Sequence, residues 1–212
     1  MFENISARAD QITKDEFERL QASPAGEGDE GDLGSLAEMA QEKGEMFFNA
    51  LDMLHKTSLI LYTIGLFHLL EQQLAAVCHD AIFDSPPNDT KLDKTAAWLK
   101  TNLEIDIRTL PSWGAIDELR MLANSAKHGE GSAVRQLRAI RPELFEDPRL
   151  RDLMPEHPDI YTSVKVRTPL AGQGIYVSEH HFIAYGNSAF DFAIEIAHYF
   201  ECKPNDHFAT GL

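Results

Sequence analysis

The sequence predicts a mainly α protein with one small β element. Long stretches repeat apolar residues every three to four positions with few breakers, as an amphipathic helix requires. Clusters of Gly, Pro and acidic residues separate those stretches. A single segment, G-I-Y-V-S-E-H-H-F-I-A-Y, alternates in the β manner, so a strand or hairpin is expected near 174–185.

The elements follow in order. Residues 1–20 can form a short, poorly amphipathic helix, I-T-K-D-E-F-E-R-L. The next stretch, A-S-P-A-G-E-G-D-E-G-D-L-G, offers too little apolar surface to offset chain entropy and reads as a flexible loop. The expected division is therefore an acidic N-terminal segment, 1–35, and one helical domain, 36–212. From Leu36 to Cys78 runs a long helical pattern interrupted by Gly44 and Gly65. Its middle, S-L-I-L-Y-T-I-G-L-F-H-L-L, is apolar nearly all round, which suits a helix buried in a bundle or against another subunit.

P-P-N-D makes a loop, and Lys91 to Leu103 reads as an amphipathic helix. Pro111–Ser112 opens the next one, with Ser112 as N-cap and Gly129 in the left-handed C-cap position. Ile116, Leu119, Leu122, Ala123 and Ala126 form its apolar face. Ser132 to Ile140 is a short basic helix closed by R-P-E-L-F, and residues 146–172 look like a surface excursion. Asn187-Ser188 starts a final amphipathic helix, A-F-D-F-A-I-E-I-A-H-Y-F.

The chain of 212 residues is long enough for a sizeable core, and its 43% apolar and 25% charged residues are ordinary for a globular protein. The net charge of −15 is not ordinary. Residues 1–45 hold twelve acids against four bases, whereas residues 120–151 hold seven bases against four acids. Broad non-specific nucleic-acid binding is disfavoured, because it scales with the cations presented, but a local phosphate site is compatible with the basic stretch. Cys78 and Cys202 supply neither a disulfide framework nor zinc spacing. No basic-then-apolar signal pattern opens the chain, and the Leu59–Leu70 run falls short of the ~20 residues of a membrane span. The expectation is a soluble cytoplasmic protein with no membrane partner, no metal and no cofactor.

The segment E-L-R-M-L-A-N-S-A-K-H-G-E-G carries the chemistry. Arg120, Asn124 and His128 lie four residues apart, so on a helix they form one polar ladder, with Lys127 beside it. Such a set suits cleavage of a phosphodiester by the RNA's own 2′-OH. Histidine, with an ordinary pKa near ~6.5, can act as base or acid. Arginine or lysine holds the phosphate oxygens, and asparagine orients the histidine or donates to phosphate. One histidine cannot easily serve as both base and acid in a turnover, so two subunits paired about a two-fold axis would complete the site. Arg135 and Arg138 are candidate substrate contacts on the following helix.

The same segment resembles the HEPN (higher eukaryote and prokaryote nucleotide-binding) superfamily. Its signature sets an arginine, a polar residue and a histidine on the penultimate helix of a bundle. Asn124-x-x-x-His128 matches the polar residue and histidine, while the place directly before Asn124 is Ala123 and Arg120 lies one turn earlier. The closer likeness is to a bacterial HEPN-like pattern, R-x-x-x-N-x-x-K-H-G, followed by a short Ser/Ala-rich helix and R-P-E/D-L-F, as in Ser132 to Phe145. L-Y-x-x-x-x-F-H-L-L-E-Q-Q-L resembles the first bundle helix, with Glu71 as the acidic partner. The resemblance implies a HEPN-like helical bundle and a homodimeric, metal-independent endoribonuclease. Its ends would be a 2′,3′-cyclic phosphate and a 5′-hydroxyl, its setting a toxin–antitoxin or phage-defence system, and its protein partner a cognate antitoxin or defence component. His128, Asn124 and Arg120 would be the catalytic set.

Blander readings stand beside these. Arg120 can pair with Asp117 or Asn124, and Lys127 and His128 suit a helix C-terminus electrostatically. Trp98 and Trp113 are expected in the core, and His55 and His68 as packed or capping residues. His180 and His181 would face opposite ways in a strand. A second function reading is therefore a non-catalytic HEPN-like module that binds nucleotide, RNA or protein. A third is an interaction subunit whose acidic N-terminal segment docks on a basic partner.

Overall fold

The computed structural model describes residues 4–22, 33–81, 89–162, 165–166, 170 and 173–202. Eight α-helices account for most of them: α1 (Ile5–Ala22), α2 (Leu33–Ala81), α3 (Leu92–Leu103), α4 (Trp113–His128), α5 (Ser132–Ile140), α6 (Pro148–Leu153), α7 (Pro158–Tyr161) and α8 (Glu179–Cys202). The class expected from periodicity is thus found, and most helix bounds fall within a few residues of expectation. The Gly- and acid-rich loop lies largely outside the described residues. The chain divides into two compact units, Met1–Ser58 and Leu59–Leu212, and α2 runs through the division. Within the first unit α1 packs on the first half of α2.

In that first unit α1 and α2 run antiparallel. Arg8 lies over the Phe47 ring at 5.7 Å, and Glu16 accepts from Lys43 Nζ at 2.6 Å. Ala9 and Ala40 are buried between the helices. Gly44 permits the approach: a Cβ there would stand 1.9 Å from Thr13 Oγ1 and 3.1 Å from the Ala9 carbonyl oxygen. Hydrogen bonds from Arg19 and Lys43 hold the Glu16 carboxyl down at about 2.

The second unit is built around α4. Ile116, Leu119, Leu122 and Ala126 are buried on its inner face, and α5 and α8 pack against it. Leu92 and Leu99 of α3, Leu137 of α5, and Leu144 and Phe145 of the 3-10 turn Pro142–Phe145 complete the core with Ile60 of α2 and Phe192 of α8. Trp113 packs on Phe192, 6.3 Å between ring centres. By length and composition α2 is apolar enough to cross a membrane, one 18-residue stretch of it reaching a mean hydropathy of 1.2, which the sequence reading of the shorter Leu59–Leu70 run did not anticipate. Its Ile60, Ile64, Phe67, Leu74 and Cys78 are buried inside the protein, and burial pushes the Cys78 thiol up to about 11. Residues 146–162 leave the core as α6 and α7, tied at the neck by an antiparallel bridge between Glu146 and Thr162.

The expected β element is corrected. Among the described residues of 174–185, Ile175 to Ser178 form no strand, and α8 begins at Glu179, well before Asn187. Ile175 and Val177 are both buried, so the alternation is real, but their segment meets no partner strand; its Tyr176 N–H donates to the Leu144 carbonyl at 2.8 Å. Ser178 then caps α8. Its hydroxyl accepts from the His181 N–H at 3.2 Å, while His181 Nδ1 accepts from the Ser178 N–H at 3.2 Å, a reciprocal cap with histidine in the place usually taken by Glu or Gln. The His180–His181 pair therefore sits in the first turn of a helix.

Replacing Gly44 with Leu should destabilise the first unit by roughly 1–3 kcal/mol through overpacking. Hydrogen exchange is the direct measure: amides of Ile5–Ala22 should lose protection while those of α4 keep theirs.

Candidate functional site

Helix α4 places the ladder as its wheel requires. Arg120 and Asn124 are half-buried at the edge of the core, and Lys127 and His128 are exposed at the C-terminal end. Ala123 is 2% exposed and faces the core, so an arginine at that place would bury a charge. Arg120 is engaged within its own helix, its Nε and Nη2 donating to Asp117 Oδ1 at 2.8 and 2.7 Å. Among the described residues the side chains of Asn124, Lys127 and His128 make no hydrogen bond or ion pair.

The end of α4 is nevertheless firmly held. Gly129, with φ 71° and ψ −150°, lies in a backbone region that is essentially restricted to glycine, rather than in the left-handed C-cap region. Its N–H donates to Ser125 O at 2.9 Å, and the Leu170 N–H donates to the Ala126 carbonyl at 2.9 Å, filling an acceptor the helix leaves open. Glu130, just beyond, accepts from the Val166 N–H at 3.1 Å. At the other end Ser112 stands in the N-cap position, but its hydroxyl does not cap the helix. Both its N–H and its hydroxyl donate to Glu195 Oε2 of α8, at 3.3 and 2.5 Å.

The other nominated residues separate. Arg135 is exposed and unpaired among the described residues. Arg138 is committed to the fold, its guanidinium 4.5 Å from the centre of the Phe145 ring and its Nη1 3.5 Å from Glu130 Oε1. Glu71, expected as an acidic partner of the ladder, serves α3 instead. Its Oε1 accepts from the Leu92 N–H at 2.9 Å and its Oε2 meets His68 Nδ1 at 3.0 Å. Lys91, the residue before α3, makes no side-chain cap, so Glu71 supplies the charge-assisted cap from α2.

A polar cluster that sequence reasoning missed ties α4 to α8. Glu118 accepts from Arg141 Nη1 and, at 2.5 Å, from the Tyr185 hydroxyl. Arg141 Nε also donates to Glu143 at 2.5 Å, which holds the Glu143 carboxyl below its ordinary range. Burial, then the bond to Glu118, pushes the Tyr185 phenol up. Burial, then the charge of Arg141, pushes His181 down. Only Ser178-x-x-His181 had a local signal, as a variant capping box. The pairing of Glu118 with Tyr185 spans residues with no sequence spacing to reveal it. Among the described residues no group of three His, Cys, Asp or Glu side chains could hold a metal ion. An open cavity of about 430 Å³ lies beside Ser112 and Glu195, lined also by Ala115, Ser188 and Asp191.

Two consequences are measurable. Glu71→Ala leaves the Leu92 donor without its cap and should cost roughly 1–2 kcal/mol in denaturant unfolding, while leaving any activity toward RNA unchanged. His181 accepts a hydrogen bond through Nδ1 and its pKa lies below the unfolded value of ~6.5, so the unfolded chain binds the extra proton first as pH falls. Stability should therefore drop as pH is lowered from ~6.5 toward the folded-state pKa. In His181→Ala, which is less stable at alkaline pH for want of the cap, that part of the slope should vanish. No family model, no curated protein and no solved structure matches this chain.

Proposed function

We propose that the chain is a HEPN-type, metal-independent endoribonuclease whose site is the end of α4, completed by a second copy of the protein. The observation that carries the reading is the trio Asn124, Lys127 and His128. These are three polar side chains on an anchored helix end, Asn124 half-buried and Lys127 and His128 exposed, and among the described residues none of them makes a hydrogen bond or ion pair. Arg135, exposed on the next helix, supplies a further cation on an otherwise strongly acidic chain. His128 transfers the proton, Asn124 orients it or donates to a phosphate oxygen, and Lys127 anchors the phosphate with Arg120, once Asp117 yields it. The products are a 2′,3′-cyclic phosphate and a 5′-hydroxyl, and the setting is a toxin–antitoxin or phage-defence system.

One observation favours the second reading, a non-catalytic module that binds RNA or nucleotide. Arg120 is paired with Asp117, and among the described residues no hydrogen bond is made to the His128 side chain. The two readings part in one assay. RNA is incubated with the full chain in EDTA and the ends are analysed. The nuclease reading expects His128→Ala to lower the cleavage rate by roughly 10²–10⁴-fold with folding unchanged. Equal rates for parent and variant would sink it, and RNA retained without turnover by both proteins would establish the binding module.

A further inference from the structure

Helix α8 carries two apolar faces, and the protomer covers one of them. Tyr185, Ala189, Phe192 and Ile196 are buried in the core. On the opposite side Ile183, Phe190 and Ile194 are 59%, 67% and 53% exposed. At ~100° per residue these three fall within one narrow stripe, with the exposed Asn187 among them. Asp191 and Glu195 follow one edge of the stripe, one helical turn apart, and both line the open cavity between α8 and the segment that opens α4. Pro111, Ala115 and Ile194 give that cavity its apolar walls. Like charges four residues apart on a helix repel each other. Glu195 gives Oε2 to Ser112, and Asp191 makes no hydrogen bond or ion pair among the described residues. Neither α8 nor the cavity lining contains a Lys or Arg to offset the pair. Along the other edge Phe182 and the exposed Tyr62 of α2, 6.1 Å apart between ring centres, widen the apolar surface.

We infer that this surface docks a cationic amphipathic helix of another protein. Its apolar side chains cover Ile183, Phe190 and Ile194, and a Lys or Arg on its flank reaches over the edge of α8 into the cavity, between Asp191 and Glu195. Charge selects this occupant. A partner that is only apolar leaves the two carboxylates unmet, and one that is only cationic leaves the stripe in water. A second copy of this face brings the same two acids and no base. Anionic surfaces, whether lipid or nucleic acid, are repelled by a chain of net charge −15. The cavity also suits a long basic side chain, whose methylene stem can lie on Pro111, Ala115 and Ile194 while its head meets the carboxylates. The surface stands beside the start of α4, at the other end of that helix from Asn124, Lys127 and His128, and the inference holds whether or not the chain cleaves RNA.

The test is fluorescence anisotropy of labelled synthetic peptides of about 18 residues, titrated with the full chain. The first peptide sets Leu at helical spacing with Lys along one flank. The second replaces each Lys by Glu, and the third has the composition of the first in an order without an apolar stripe. At ~0.15 M salt the parent should bind the first and neither of the others. Phe190→Asp and Asp191→Lys, both at exposed positions and checked for folding by circular dichroism, should each weaken that binding by roughly tenfold or more. No binding of the first peptide would overturn the inference. So would equal binding of the third peptide, or unchanged binding by the two variants, since either would mean that the bulk charge of the chain alone attracts the peptide. A parent dimer that Phe190→Asp dissociates, seen by sedimentation equilibrium, would give the face to a second copy and overturn it as well.

Discussion

Glutamates that leave their own helix to meet a donor on another element hold the second unit in its arrangement. Glu71 reaches from α2 to the first amide of α3, and Glu195 from α8 to Ser112 at the start of α4. Glu130 takes the Val166 amide, and Glu118 takes Tyr185 of α8 together with Arg141 beyond α5. Each contact sits at the margin of the core, where water is partly excluded and a charge-assisted hydrogen bond counts for more than on an open surface. A shift of these helices would leave a carboxylate and its donor unsatisfied together.

Backbone contacts also hold the end of α4, where the proposed site lies. Its backbone is fixed by Gly129, Ser125 and the Leu170 amide, yet none of those contacts uses the side chains of Asn124, Lys127 or His128. A rigid backbone carrying uncommitted polar groups is what a site needs when its partner groups arrive from outside the protomer. Glu71, nominated with the ladder, shows the opposite case, since the fold uses both of its carboxylate oxygens. A chain with so many acids thus spends several of them internally and leaves its cations at one helix end outward.

The helices were legible because burial of a stripe imposes a period on the residues that line it. Ile116, Leu119, Leu122 and Ala126 declared α4, and the buried Ile60, Ile64 and Phe67 agree with the apolar middle of α2. The strand near 174–185 was misread for an instructive reason. Ile175 and Val177 do alternate inward, as in a strand, but a strand needs a partner, and the pattern continues into a helix capped by Ser178 and His181. At the ladder, the Asp117 pairing of Arg120 was one of two options that spacing left open.

What the sequence by itself determined is therefore the helical class, the positions of most helices and the single face of α4 that carries the polar ladder, since all three follow from local periodicity. Only the tertiary structure decided which polar residues are committed and which are free. Glu71 against Leu92, Glu118 against Tyr185 and Glu195 against Ser112 join segments far apart in the chain, and no local pattern encodes a pairing that is chosen by how packed helices bring their edges together.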